Sequence, residues 1–216
     1  TGMPFVQLKM AASLDGQSAL SNGQSQWITS PAARQDVQRY RAMSGGILST
    51  SKTVIDDNAS LNVRWDDLPT SVQAQYLREE LRQPVRVILD RQNHLTDALK
   101  LFHTDGERVI VSPDGDCIPL LDGADQIDLS TTLKRISDEH HINHLWVEAG
   151  ATLASAMIKA NLVDELIVYL APKLMGSDGR GLIGALGLSA MADVIDLNIT
   201  DVRMVGVDIR ITATIK

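Results

Sequence analysis

The chain has 216 residues, 44% of them apolar and 22% charged, with a net charge of −7 at pH 7. That is enough for one sizeable α/β unit with a buried core, and the acidic balance argues against a general nucleic-acid surface, which needs clustered Lys and Arg. No run nears the roughly 20 apolar residues that span a bilayer, no secretory signal opens the chain, and the single cysteine, Cys117, excludes an internal disulfide and a Cys-rich zinc site.

Pro4 to Ser13, "PFVQLKMAAS", reads as a first strand, and Leu14 to Ser25 as a loop rich in turn residues. Ser30 as N-cap with Pro31 at the first helical position starts a helix in "TSPAARQDVQRYRAM". "GGILSTSKTV" predicts a short buried strand entering a polar turn, and Asp66 to Gln83 a charged helical connection. Pro84 to Asp90 is a strand, followed by the turn "RQNHLT"; "ERVIVS" and "DQIDLS" predict two more. Ser130 is expected to cap the amphipathic helix "STTLKRISDEHHI".

"NHLWVEAG" is the next strand, "ATLASAMIKANLV" a helix, "DELIVYLAPKLMG" a strand ending at Pro172, and "SDGRGLIGALG" a glycine-rich loop. "IDLNITDVRMVGVDIRITATI" closes the chain as an antiparallel hairpin. This alternation predicts an α/β fold: a mostly parallel central sheet with helices on both faces and an antiparallel C-terminal hairpin. No repeat, low-complexity segment or linker divides two cores, so one domain over residues 1–216 is expected.

In such sheets ligands bind beyond the carboxyl ends of the strands. In "LWVEAGATLASAMI" Glu148 closes a strand and Gly150 opens a helix. Free amides there suit a phosphate or pyrophosphate; the stretch equally fits a plain βα turn with Glu148 as a solvated cap. In "VILDRQ" Arg91 follows a strand, where it could pair with a ribose 2′-phosphate and favour NADPH over NADH, or sit on the surface. Lys9, Arg41 and Arg64 are well-separated cations that matter only if the fold gathers them. Thr29 and Ser30 at a helix N-terminus would then complete an anion pocket. Trp27 could stack on a cofactor or simply pack.

Other patterns carry less. His140, His141 and His144 lack a partner at metal-site spacing, so no metal is expected. Cys117 in "SPDGDCIPL" reads as an incidental thiol in a turn. The GxSxG elbow, the GxxxxGK[ST] loop and the zinc-deaminase signature are absent from the sequence, which leaves acyl transfer, ATP hydrolysis and deamination without support.

Three segments in order, "QLKMAASLDGQSALSNGQSQWITSPAARQDVQRYRA", "TVIDDNASLNVRW" and "WVEAGATLASAMIKANLVDELIVYLAPKLMGSDGRGL", resemble the reductase half of the bifunctional riboflavin-biosynthesis deaminase/reductases. The resemblance covers Pro4 to about Thr214. It implies a dihydrofolate-reductase-like fold, NADPH as hydride donor, and reduction of 5-amino-6-(5-phosphoribosylamino)uracil to its ribityl product, in a chain whose composition and single cysteine predict a cytoplasmic domain. It also implies an upstream zinc deaminase in the same polypeptide. The chain opens "TGMPFVQ" without an initiator Met, and we read it as the C-terminal domain of such a protein.

The resemblance places cofactor contacts on Ala11, Trp27, Thr53, Asp57, Arg91 and the run Gly150, Ala151, Thr152, Leu153, Ala154, Ser155 and Ala156. It places substrate contacts on Lys9, Ser25, Thr29, Arg41, Leu61, Arg64 and Glu148, with Lys9 and Glu148 as the catalytic pair. Basic side chains suit a sugar phosphate, and a strand-end carboxylate suits the N–H groups of a pyrimidine. Relatives often carry an acidic residue and a proline where this chain has Asn58 and Ala59, which predicts a less rigid turn. "STSK" replaces a glycine-bearing stretch common in relatives.

Two other readings stand beside this one: a pterin or folate reductase on the same fold, and a non-catalytic dimerisation or regulatory module. A homodimer is expected, because the hairpin from Asp196 to Lys216 offers a pairing edge.

Overall fold

A computed structural model describes residues 2–216 of the chain. The described residues form strands β1 (Phe5–Ser13), β2 (Gln17–Ala19), β3 (Gly46–Thr50), β4 (Val85–Leu89), β5 (Arg108–Val111), β6 (His144–Glu148), β7 (Glu165–Ala171), β8 (Arg180–Gly181), β9 (Leu197–Val205) and β10 (Asp208–Ile215). The α-helices are α1 (Pro31–Met43), α2 (Ser51–Asp57), α3 (Thr70–Gln73), α4 (Leu129–His140) and α5 (Ala151–Lys159). They fall into two compact units: the residues up to Phe5 with Val37–Glu148, and Val6–Asp36 with Ala149–Lys216.

In the first unit the strands run β5-β4-β3-β6, every pairing parallel. Leu48 stands opposite Val87 on one side and Val147 on the other. β3, β4 and β6 are buried at consecutive positions rather than alternate ones, the mark of strands covered on both faces.

Four expectations fail in this unit. The polar turn after β3 is helix α2. Thr50 caps it by accepting the Thr53 amide at 3.3 Å, Val54 is buried beneath it, and Asn58 closes it in the left-handed region at φ 46°. Asn is among the few non-glycine residues that tolerate that conformation, so Asn58 serves as the helix's stop signal.

The expected helix over Asp66–Gln83 is instead α3 between short 3-10 turns at Trp65–Asp67 and Arg78–Glu80. Leu68 alone in that stretch is fully buried, and the segment has no apolar stripe to hold a longer helix. "DQIDLS" forms no strand, only an isolated bridge between Leu121 and Ile127. Asp128, not Ser130, caps α4, because its carboxylate accepts the Thr131 amide at 3.0 Å.

In the second unit the order is β1-β7-β10-β9. β1 and β7 are parallel, with Lys9 opposite Ile167 and Ala11 opposite Tyr169; β7–β10 and β10–β9 are antiparallel. The expected C-terminal hairpin is thus present, turning at Gly206 with φ 64°, where a Cβ would come within 2.7 Å of the Ala32 Cβ.

The Leu14–Ser25 stretch, expected as loop, contains β2, which pairs with β8 of the glycine-rich segment. Asp15 ties the two segments by accepting the amides of Met175 and Gly176. A buried polar cluster anchors the start of α1: Asp36 accepts from Tyr169 Oη and from Arg210 Nη1, both at 2.7 Å. No helix among the described residues is long and apolar enough to cross a membrane.

Candidate active site

The strand "HLWVE" delivers Glu148 at its carboxyl end. Trp146 lies fully buried beneath it and stacks on Tyr40 of α1, ring centroids 4.7 Å apart. The Trp146 indole N–H donates to Glu148 Oε1 at 2.8 Å. From α1, Arg41 grips the same carboxylate with two prongs, Nε to Oε1 at 2.6 Å and Nη2 to Oε2 at 2.8 Å. Ser49 Oγ donates to the Glu148 carbonyl at 2.6 Å. Four donors therefore fix Glu148 in position and rotation.

The pair is mostly out of water, with side-chain exposures of 10% for Arg41 and 13% for Glu148. Burial works to lower the Arg41 pKa, but the Glu148 charge and its hydrogen bonds outweigh this and hold it above its ordinary value. Arg41 and Glu148 are 107 residues apart in sequence, and no spacing rule could have paired them.

Arg41 Nη1 also donates to the Asn62 carbonyl at 3.0 Å. This links the carboxylate to the segment that carries Leu61 and Arg64. Leu61 is buried and adopts φ 53°, a left-handed conformation rare for a bulky residue. Arg64 is exposed, its guanidinium paired with Asp67. The structure thus joins Arg41 to Glu148, while Arg64 is exposed and paired with Asp67.

Thr53 sits in the first turn of α2 and Asp57 at its last residue. Arg91 pairs with Asp125 at 3.0 Å, while the preceding Asp90 is buried and accepts the amides of His94 and Leu95 to close the turn. His140 bonds to Glu107, and His144 lies 3.4 Å from the Met43 carbonyl. Cys117 is buried, and burial raises its thiol pKa.

In the second unit, Lys9 and Ala11 occupy half-buried positions on β1, and Ser25 is exposed before α1. Trp27 is 67% exposed at φ 64°, with the Arg34 guanidinium 4.4 Å above its ring. Lys173 Nζ donates to the Trp27 carbonyl at 2.7 Å, and Arg34 Nη1 to that of Thr29 at 2.9 Å. These residues line an open cavity of about 320 Å³ at the N-terminus of α1, where Ser30 Oγ accepts the Ala33 amide.

Gly150 is the N-cap of α5 at φ −73°, an ordinary backbone conformation. No side chain caps the helix, and a Cβ at Gly150 would meet nothing within 4 Å. Leu153, Ala154 and Ser155 are buried and anchor the first turn. Gly184 packs so close that a Cβ there would reach Ser155 Oγ at 2.9 Å, a contact with no sequence signature.

The chain matches the RibD C-terminal domain over residues 4–211. It is similar to the riboflavin biosynthesis protein RibD of Haemophilus influenzae, 48% identical over the whole chain and 59% of that relative. It is 33% identical to a 5-amino-6-(5-phosphoribosylamino)uracil reductase of Buchnera aphidicola, over 89% of the chain and 97% of the relative. Among solved structures, Acinetobacter baumannii RibD superposes with TM-score 0.87 at 38% identity, covering all of this chain and 59% of that one. The chain therefore spans about 59% of the length of the RibD relatives it matches.

Proposed function

The chain belongs to the RibD C-terminal domain family, and from that premise we propose that it reduces 5-amino-6-(5-phosphoribosylamino)uracil to the ribitylamino product, with NADPH as hydride donor. The observation that carries the reading is the Glu148 carboxylate, fixed by Arg41 and Trp146 at a strand end. A relative named for this reductase activity, covered over 97% of its length, supports it.

A clamped carboxylate suits the adjacent N–H groups of a pyrimidine, because its orientation is set before the ligand arrives. In this reading Arg41 acts by holding Glu148, and Arg64 meets the sugar phosphate, exchanging Asp67 for it. Lys9, Ser25, Thr29 and Leu61 complete the substrate contacts.

Reductases of this family use a nicotinamide cofactor, and the residues present fit one. α5 begins at an uncapped Gly150 with open space before it, which suits a phosphate group. Gly150 to Ala156 would hold the pyrophosphate, and Ala11, Trp27, Thr53, Asp57 and Arg91 the rest, with Arg91 favouring the 2′-phosphate. When bound, the nicotinamide supplies the hydride. Lys9 then delivers a proton to the nitrogen of the ring-opened substrate imine, so that one C=N bond becomes C–H and N–H. A deaminase in the same polypeptide and a homodimer through β9 belong to the same proposal.

Oxidation of NADPH and NADH, measured with the phosphoribosylaminouracil and with dihydrofolate as acceptors, tests the reading. Turnover with the first acceptor and NADPH is expected. Turnover with dihydrofolate alone, or none with either, overturns it.

A further inference from the structure

The segment from Ser60 to Arg64 lies in no helix or strand, yet Leu61 and Val63 within it are buried. Its backbone groups must find partners outside any ladder, and side chains supply them. Gln83 makes a two-way bond to Val63: the Val63 amide donates to Oε1 at 2.8 Å, and Nε2 donates to the Val63 carbonyl at 2.9 Å. The Arg64 amide donates to Gln38 Oε1 at 2.9 Å. Arg86 Nη1 donates to the Ser60 carbonyl at 3.1 Å.

Gln83 mimics a neighbouring β-strand at a single residue, and Pro84 after it favours the extended backbone from which it does so. Gln38 is 2% exposed and sits one helical turn before Arg41, so both reach the segment from one face of α1.

We propose that Gln83 and Gln38 are positioning residues for the reduction: they hold the Val63–Arg64 backbone so that the Arg64 guanidinium meets the substrate phosphate. This rests on the substrate reading above. Neither residue touches the substrate; each acts through Arg64.

Two measurements on the full chain test it. The first is amide hydrogen exchange, which needs no substrate. The Val63 and Arg64 amides are expected to be protected, with Val63 losing protection in Gln83→Leu and Arg64 in Gln38→Leu. Fast exchange of both amides in the wild type overturns the proposal.

The second is a kinetic cycle. Gln83→Leu should raise KM for the phosphoribosyl substrate about tenfold, roughly one net hydrogen bond, with kcat and KM for the nicotinamide cofactor unchanged. Gln83→Glu, which retains the acceptor for the Val63 amide, should recover part of the loss. In an Arg64→Ala background Gln83→Leu should add no further rise. An equal rise in that background, or a fall in kcat alone, overturns the proposal. If Gln83→Leu does not fold, Gln38→Leu and Gln83→Glu carry the same cycle. Absence of wild-type turnover would sink the substrate reading and leave the exchange result to judge the cage.

Discussion

Arg41 and Glu148 meet side-on, two guanidinium nitrogens against two carboxylate oxygens at 2.6 and 2.8 Å. Removing one partner leaves a charge that is nearly dry and already committed to other donors. Arg41→Ala should therefore destabilise the chain by about 3 kcal/mol, read from urea unfolding. Arg41→Lys keeps the charge but not the fork, and should recover only part of that. A loss under about 0.5 kcal/mol for Arg41→Ala would mean the carboxylate is not held as described.

Arg64 is the opposite case. Its pair with Asp67 is about half exposed, 49% and 48%. Such a pair adds little stability, so Arg64→Ala should unfold within about 0.5 kcal/mol of the wild type. Its effect should fall on KM for the phosphorylated substrate, upward by about tenfold or more, as expected for a lost charge-assisted contact. A dephosphorylated analogue should bind both forms alike.

Asp128 sets a pH dependence. The Thr131 amide, and then the Thr131 hydroxyl, hold its carboxyl below the ordinary aspartate range. A depressed folded pKa means stability that is present above the unfolded value near 3.9 and lost as pH falls through the folded one. Asp128→Ala should cost about 1 kcal/mol at neutral pH, as lost N-caps do. The gap to wild type should close below about pH 4. Denaturant titrations across that range check both the size and the sign.

β9 is an edge strand with Leu197, Ile199, Val202 and Met204 all exposed. Long apolar edges invite pairing, and an antiparallel second copy centred on Val202 would set Asp201 against Arg203 in both directions. Light scattering should give about twice the 23.5 kDa chain mass, and Val202→Lys should halve it. A wild-type mass near 23.5 kDa would contradict self-association.

Much of the scaffold was legible because its signals are local. Ser30 and Pro31 mark the start of α1, and the apolar runs of β4 and β6 mark strands buried on both faces. α2 was not, since Thr53, Val54 and Ile55 are β-branched residues that read as strand or turn, and its caps decide the matter. The asparagine that looked like a loosened turn is the left-handed residue that ends that helix.

At the site, the resemblance named Arg41, Arg64 and Glu148 without indicating their partners. That Arg41 serves Glu148 while Arg64 faces Asp67 depends on contacts across 107 residues in one case and 3 in the other. Gln38 and Gln83 had no sequence signal at all, because a glutamine that satisfies a distant backbone looks like any surface glutamine.

The most direct test follows the transferred hydrogen itself. Incubating the chain with phosphoribosylaminouracil and NADPH deuterated at the nicotinamide should place deuterium on the sugar-derived carbon of a ribitylamino product. Unlabelled or unreduced substrate, with the cofactor intact and the chain folded, would contradict the account.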